Sequence, residues 1–298
     1  WPRDQLRQPS VTTVHPTGAS SFHARWAWLG DALVENVCIT VERDRVSTVD
    51  SGLPRVADQP SFDLLLPAFH NAHSHAFQWA MRGATQHLDE GHVDDDFWSW
   101  RERMYAVASS ISVDEAYRVA LACYRGMVAH GYVTVGEFHY LHRTPGGDLG
   151  ADAANLALAH ADAARDAGLR FVLIPVAYER GGFGRPLAPN QGRFDTRDAK
   201  TFLRHVERLR SVISGPDRSV VLGCHSVRAC TEATLRSVAH EARLAGLPLH
   251  IHACEQRREL RESREEYGVE PLEVLERLDF LGPTTTVVHA THLAPDDV

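Results

Sequence analysis

The sequence predicts an α/β protein: a TIM-type (β/α)8 barrel with about six of its eight strands present, preceded by a small β-rich N-terminal module. Helical and strand patterns alternate strictly from residue 112 onward, which is typical of a parallel sheet covered by helices. The strand patterns are short apolar runs, as expected for strands buried on both faces. Histidines follow most of these runs, at the barrel end where sites form. We expect the module to occupy residues 1–60 and the partial barrel residues 61–298.

The composition favours a globular protein that acts on a small molecule. The 298 residues are 44% hydrophobic and 23% charged, with a formal net charge of −8. No basic run is present, which argues against nucleic acid or an anionic membrane as a partner. No apolar stretch approaches about 18 residues and the first residues lack a signal-peptide pattern, so we expect a cytoplasmic protein. Whether the chain forms a homodimer is left open by the sequence.

The cysteines and the N-terminal part carry no recognisable chemistry. Five cysteines are spread along the chain without a CxxC pair, which favours reduced core thiols over a disulfide framework. Residues 1–22 are polar and irregular and are interpreted as a poorly ordered lead-in. After them, short alternating units separated by turn residues predict the β module, at Trp26–Leu29, Val37–Val41 and Val46–Val49.

The first barrel strand is predicted from the stretch FDLLLPAFHNAHSHAFQ at residues 62–78. Its apolar run is short enough for a buried parallel strand, so the histidines after it leave the strand at its carboxyl end. Because strand side chains repeat every second residue, His73 and His75 face the same way and could hold one metal ion. On this motif alone, a pair of surface histidines is an equally good interpretation.

Five further helix–strand units follow. Ser112 and Glu115 form a capping-box pattern at the start of the first helix. The predicted helices are residues 112–131, 152–168, 196–213, 231–246 and 271–278. The strands that follow them are predicted, in the same order, at residues 132–138, 171–176, 220–223, 247–251 and 286–289. The aromatic segment at residues 94–101 is either a lid facing the substrate or a packing helix.

Five of the six predicted strands end in histidine. These residues are His73 and His75, His139, His225, His252 and His289. A closed barrel brings its strand ends to one site, whereas a doubly wound open sheet has no reason to make them converge. We therefore favour the barrel.

The segment HIHACEQ at residues 250–256 combines the elements of a hydrolytic site. With His252 as a third metal ligand, Glu255 could reach a water on that metal and act as general acid and base. His250 is a second candidate ligand, and Glu255 could instead be a carboxylate at a helix N-terminus. His289 could polarise the water or the substrate, or could be a hydrogen-bonded core histidine. A thiol nucleophile at Cys254 is a weak alternative, and no GxSxG, Walker or dinucleotide-binding pattern occurs.

At these residues the chain resembles the amidohydrolase superfamily and, within it, the formimidoylglutamate deiminases of histidine degradation. The resemblance extends over nearly everything from Trp26 onward. The HxH motif alone indicates only the superfamily. The motifs that make the resemblance specific are HNAHSHAFQ at 70–78, FWSWRERMY at 97–105, GEFHYLH at 136–142, CHSVRA at 224–229, HIHACEQ at 250–256 and VVHATH at 287–292.

The resemblance implies roles for ten residues. It implies one zinc ion held by His73, His75 and His252, a proton shuttle at Glu255 and a second catalytic histidine at His289. It implies that substrate is held by Gln78, Arg101, Tyr140, His225 and Arg228. The implied reaction is hydrolysis of the formimidoyl C=N bond of N-formimidoyl-L-glutamate to N-formyl-L-glutamate and ammonia.

The residue chemistry agrees with a dicarboxylate substrate. Arg101 and Arg228 supply forked donors that suit two carboxylates. Without the resemblance, Arg228 could instead be a surface arginine at a helix start, and so could Arg101. Simple packing is a comparable interpretation for Tyr140, Gln78 and His225.

Two other classes of function stay open. One is another mononuclear aminohydrolase, acting on a purine, pyrimidine or triazine ring, which would not need two arginines. The other is a catalytically inactive metal-binding or structural fragment. A lysine-bridged binuclear hydrolase is excluded, because Lys200 is the only lysine and lies in a predicted helix.

The sequence departs from the superfamily pattern in one respect. The superfamily's fourth protein ligand is an aspartate at the end of the eighth strand, and only six strands are predicted here. Asp296 and Asp297 follow the sixth strand too closely for that role. We therefore expect the chain as given to be an incomplete enzyme.

Overall fold

The computed structural model describes residues 20–85, 97–145, 149 and 153–293. The chain forms two compact units, which divide between Phe69 and His70. No helix in the described ranges is long and apolar enough to cross a membrane. Asp296 and Asp297, and the first residues of the segment at 94–101, lie outside the described residues.

The N-terminal unit is a four-stranded sheet. Its strands are β1 (Ser20–Leu29), β2 (Ala32–Glu42), β3 (Arg45–Ser51) and β4 (Ser61–Leu65), in the order β3-β2-β1-β4. The first three pair antiparallel through tight turns, and Arg43 and Asp44 both have positive φ, as a two-residue hairpin turn requires. The buried apolar cluster of this unit consists of Ala24, Ala27, Val37 and Ile39. The predicted β-rich module is confirmed.

The apolar run at 62–66 is not the first barrel strand, contrary to the prediction. It forms β4, which pairs in parallel with β1 from His23–Ser61 to Ala27–Leu65. Phe62 and Leu64 are each 51% exposed, so the run is not buried on both faces. Pro67 separates it from the histidine motif, which lies on a strand of its own. The N-terminal unit accordingly extends to Phe69 rather than to residue 60.

The larger unit contains a parallel sheet whose strands are adjacent in chain order. The strands are β5 (Phe69–Ser74), β6 (Tyr132–His139), β7 (Arg170–Ala177), β8 (Arg218–Val220), β9 (Leu222–Cys224), β10 (Leu249–Ala253) and β11 (Thr285–His289). Their order is β5-β6-β7-β9-β10-β11, with β8 also beside β7, so β8 and β9 together form the fourth of six strand positions. Sequential order of this kind belongs to a barrel and not to a doubly wound sheet. The predicted nearly closed barrel is confirmed.

Seven α-helices are described. They are α1 (Phe97–Ser110), α2 (Val113–Ala129), α3 (Ala154–Ala167), α4 (Ala199–Val212), α5 (Glu232–Ala245), α6 (Arg257–Tyr267) and α7 (Pro271–Arg277). The predicted capping box is present: Ser112 accepts from the Glu115 amide while Glu115 accepts from the Ser112 amide. From Phe97 onward the aromatic segment is helical, and Trp100 and Arg101 of this helix line the cavity described below. Helix α6 was not predicted because it is almost entirely polar, with the i,i+4 ion pair Arg258–Glu262 on its surface.

One glycine permits the close approach of β5 and β6. A Cβ at Gly136 would lie 2.6 Å from the carbonyl oxygen of Ala72, well inside contact distance. Only glycine therefore fits on β6 at this point. The two strands lie close together just before the histidine motif on β5.

Candidate active site

Three histidine side chains converge at the carboxyl ends of β5 and β10. The His73 and His75 Nε2 atoms are 3.0 Å apart, and His252 Nε2 lies 3.1 Å from His73 Nε2. All three potential ligand atoms lie within 4.8 Å of one another. A tetrahedral centre with metal–nitrogen distances of about 2.0–2.1 Å separates its nitrogens by about 3.4 Å. The cluster therefore fits a single metal ion.

The three imidazoles are held in the neutral form that metal binding needs. Burial, with the nearby His75, lowers the pKa of His73 to about 3. Burial lowers the pKa of His75 to about 4, although a hydrogen bond to the Phe138 carbonyl opposes the shift. That carbonyl, 3.0 Å from His75 Nδ1, can only accept, so Nδ1 carries the proton and Nε2 has a free lone pair. Burial also lowers the pKa of His252.

Aromatic rings fix the orientation of the cluster. The Phe138 ring centroid lies 4.3 Å from that of His252 and 4.9 Å from that of His73. Tyr140 packs edge-on against His75, with centroids 5.2 Å apart. Rings packed from several sides leave each imidazole little rotational freedom, which preorganises the nitrogens.

Glu255 links the histidine cluster to an arginine. Its Oε1 atom lies 3.5 Å from His289 Nε2, while its Oε2 atom accepts a hydrogen bond of 2.7 Å from Arg228 Nη2. The rings of His289 and His252 are 5.0 Å apart. The Glu255 carboxylate therefore lies beside an imidazole next to the cluster.

Left-handed backbone shapes the strand ends at this point. Cys254 directly after β10 has a φ of 54°, and His289 and Ala290 at the end of β11 have φ values of 75° and 48°. Such conformations cost free energy in non-glycine residues and tend to occur at functional sites. Here they redirect the chain at the two strand ends that carry Glu255 and His289.

All ten residues that the sequence analysis singled out line one cavity of about 310 Å³. Gln78 donates to the Tyr140 hydroxyl at 2.9 Å, and burial raises the pKa of that hydroxyl. The His225 ring packs 4.7 Å from Tyr178, and burial lowers its pKa. Arg101 donates to the Tyr105 hydroxyl. The structure thus brings together residues from separate strands and from α1.

Two of the strand histidines point elsewhere. Side chains alternate along β6, so Phe138 faces the cluster and His139 faces the helices, where its ring lies 5.1 Å from His160 of α3. The expectation that His139 joins the other strand-end histidines is therefore wrong. His250, the second candidate ligand, is buried outside the three-histidine group.

A buried carboxylate beneath the cluster was missed. Glu137 on β6 is 1% exposed; its Oε1 atom accepts from the Ala76 amide at 2.7 Å and its Oε2 atom from the Tyr124 hydroxyl at 3.0 Å. Burial raises its pKa to about 7, against these hydrogen bonds. It ties down the chain directly after His75. The available signal was a charged residue inside the apolar strand pattern VTVGEFH.

Several cavity residues were also missed. They are Tyr105, Tyr178, Arg180, Arg185 and Glu262. Arg180 and Arg185 flank the glycine-rich segment at 181–184 after β7, and both form ion pairs with α6, to Glu266 and Glu262. The glycine-rich loop that follows barrel strand β7 was the signal that could have drawn attention to these residues.

Fold and cavity define the class of the protein: an α/β barrel whose strand ends carry a histidine centre suited to a metal ion. The sequence model of the Amidohydrolase family matches residues 64–298, and the chain belongs to that family. The family expected from the motifs is confirmed.

Relatives of known name differ in their reactions. Formimidoylglutamate deiminase of Pseudomonas aeruginosa is 37% identical over 238 residues, which are 78% of this chain and 51% of that protein. A 5-methylthioadenosine/S-adenosylhomocysteine deaminase of Desulfitobacterium hafniense is 26% identical over 285 residues, 94% of this chain and 57% of that protein. The chain spans about half the length of these curated relatives.

Solved structures share the fold. An amidohydrolase from Brucella melitensis superposes with a TM-score of 0.86 at 34% identity, covering 93% of this chain and 61% of that one. The zinc complex of an atrazine chlorohydrolase from Arthrobacter aurescens superposes with a TM-score of 0.76 at 19% identity, covering 93% and 62%. The second likeness concerns the fold alone.

Proposed function

We propose that the protein hydrolyses the formimidoyl C=N bond of N-formimidoyl-L-glutamate, giving N-formyl-L-glutamate and ammonia. The observation that carries this proposal is the presence of Arg101 and Arg228 in the same cavity as the three histidines and Glu255. The substrate carries two carboxylates, and two guanidinium groups are their natural partners. The 37% identity to a formimidoylglutamate deiminase supports the same choice.

The metal proposed for the site is zinc, held by His73, His75 and His252. Three neutral imidazoles, with His73 Nε2 lying 3.0 and 3.1 Å from the Nε2 atoms of His75 and His252, suit its preferred ligand type. When bound, a zinc ion supplies a Lewis acid that makes water a stronger nucleophile at neutral pH.

The remaining chemistry falls to the protein's own carboxylate and imidazole. Glu255 accepts the proton from the water that adds to the formimidoyl carbon. It passes that proton to the imine nitrogen and then moves the proton of the new hydroxyl group to the same nitrogen, so that the carbon–nitrogen bond breaks, the formyl carbonyl forms and ammonia is released. His289, whose Nε2 atom lies 3.5 Å from Glu255 Oε1, is assigned the hydrogen bond to the oxygen that becomes the formyl carbonyl.

Substrate choice follows from the arginines. Arg228 lies directly beside Glu255, so the carboxylate nearest the reacting carbon, the α-carboxylate, is assigned to it. Arg101 on α1 is assigned to the distal carboxylate. Gln78, in the turn after β5, and Tyr140, directly after β6, form a hydrogen-bonded pair and are assigned to the formimidoyl group.

Ammonia release by the zinc-loaded intact protein tests the proposal. N-formimidoyl-L-glutamate is compared with N-formimidoyl-4-aminobutyrate, which lacks the α-carboxylate, and with 5-methylthioadenosine. We expect rapid release only from the first compound. Faster release from methylthioadenosine would replace the proposal with a purine deaminase, and no release together with bound zinc would indicate an inactive metal-binding protein.

A further inference from the structure

A second carboxylate lies behind Glu255 and has no role in the reaction proposed above. Glu259, in the first turn of α6, is 1% exposed. Its Oε2 atom accepts a hydrogen bond of 2.9 Å from the backbone amide of Glu255. A carboxylate in the first turn of a helix is an ordinary stabilising feature, because it satisfies free amides and the helix dipole. That function alone would not require burial.

Arg228 lies between the two carboxylates. Its Nη2 atom donates to Glu255 Oε2 at 2.7 Å, and its Nε atom lies 3.7 Å from Glu259 Oε1. Arg228 Nε and Glu259 Oε1 are both buried, and neither has a hydrogen-bond partner in the part of the chain that the structure describes. One guanidinium therefore serves two carboxylates, one of them open to the cavity and one enclosed.

The group formed by Arg228, Glu255 and Glu259 contains one cation and two carboxylates, so its charges do not cancel. One buried guanidinium faces two carboxylates, so Arg228 is drawn toward both. Burial raises the pKa of Glu259, and the positive charge of Arg228 opposes that shift. An enclosed anion is retained only where a partner offsets its desolvation, and here the partner is the arginine assigned to the substrate.

We infer that Glu259 is a positioning residue for the proposed reaction: it shares Arg228 with Glu255, so that the guanidinium can bind a substrate carboxylate without pairing fully with the proton shuttle. The inference rests on the proposed function. Without the charge of Glu259, Arg228 would bind Glu255 more tightly. A carboxylate held more tightly by a guanidinium accepts a proton less readily.

The substitution Glu259→Gln isolates this effect. Glutamine keeps an oxygen that can accept from the Glu255 amide and removes only the negative charge facing Arg228. We expect kcat to fall about tenfold, a fraction of what a general base contributes. The Michaelis constant should not rise, because the dianionic substrate meets one negative charge fewer in the site.

The experiment measures kcat and KM for N-formimidoyl-L-glutamate, and the Kd of glutarate by calorimetry, on the zinc-loaded intact protein. Glu265→Gln is the matched control, since Glu265 is an exposed residue of the same helix that faces Arg261 at 4.0 Å. For Glu259→Gln we expect lower kcat with unchanged or tighter glutarate binding. For Glu265→Gln we expect parental values.

Each other outcome is decisive. Parental kcat in Glu259→Gln, or a KM and a glutarate Kd that both rise more than about threefold, would overturn the positioning role and leave Glu259 as a structural helix-start residue. A parent protein that neither releases ammonia from formimidoylglutamate nor binds glutarate overturns the proposed function, and this inference falls with it. An active parent whose Glu259→Gln variant matches the control overturns the inference alone.

Discussion

At the scale of single residues, the proposed chemistry of the cavity depends on a few charged side chains that are largely buried and contact one another. Glu255 contacts both Arg228 and His289, and its position is tied to α6 through its own backbone amide. Substitutions here should therefore change catalysis and substrate recognition.

Glu255→Gln tests the proton shuttle. Glutamine preserves size and the hydrogen bond to Arg228 but cannot take up a proton, so kcat should fall by about 10² or more. Zinc content, measured by mass spectrometry, should stay near the parent's, since the three histidines are untouched. Turnover within a few-fold of the parent would remove Glu255 from the mechanism.

Arg228→Met tests recognition of the α-carboxylate. Losing a charged hydrogen bond in an enclosed site costs about 1.5–3 kcal/mol, so KM for N-formimidoyl-L-glutamate should rise at least tenfold. KM for N-formimidoyl-4-aminobutyrate should change much less. Arg261→Met, on the exposed face of α6, is the control. An equal rise in KM for both substrates would indicate that Arg228 has a structural role.

At the scale of elements, a second group of histidines lies among the helices and away from the cavity. His139 is the last residue of β6, His142 follows that strand, His160 is on α3 and His205 is on α4. The ring centroids of the neighbouring pairs His139–His160, His139–His142 and His142–His205 are 5.1–5.6 Å apart. Burial, and then the neighbouring His205, lowers the pKa of His142 to about 3. Burial, and then Arg208, lowers that of His205 to about 4.

These imidazoles should make the protein sensitive to acid. Between about pH 6.5 and pH 4 the unfolded chain binds protons that the native His205 does not, so the free energy of unfolding falls as pH falls. Above pH 7 this contribution is complete and constant. His205→Phe removes the titrating group and should reduce the loss of stability between pH 7.5 and pH 5 by about 2 kcal/mol.

Urea unfolding at the two pH values measures the effect. Neither ring nitrogen of His205 has a hydrogen-bond partner among the described residues, so phenylalanine sacrifices no observed bond. His240→Phe on α5, where the side chain is exposed, is the control. An unchanged pH dependence in His205→Phe would show that other groups control acid unfolding.

At the scale of the whole molecule, the parallel sheet has two end strands. In the described sheet, β5 pairs only with β6 and β11 only with β10. Phe69 on β5 is 50% exposed, and the β11 residues are at most partly buried. Unpaired strand edges with apolar side chains are templates for association.

A polypeptide of these 298 residues should therefore associate as its concentration rises. Sedimentation velocity should detect dimers and larger species, and Thr286→Lys on β11 should reduce them, because an added charge at a strand edge opposes pairing. Glu265→Lys, on the exposed face of α6 and not on a strand, should not. A monomer at every concentration would contradict the expectation.

The sequence by itself determined the alternation of helices and strands, the capping box at Ser112 and the same-face placement of His73 and His75. These are local properties, because backbone periodicity and capping depend on residues a few positions apart. Family resemblance, carried by short motifs, added five further cavity residues: Gln78, Arg101, Tyr140, His225 and Arg228. All of them line the cavity, although their roles remain predictions.

Only the tertiary structure decided which strand pairs with which and which polar groups are enclosed. The apolar run at 62–66 joined β1, His139 turned toward α3, and Glu259 came to lie beside Arg228. A short apolar run does not specify its partner, and strand ends do not specify which face a side chain occupies. Glu259 and Arg228 are far apart in sequence, so their shared burial depends on long-range packing that local patterns do not encode.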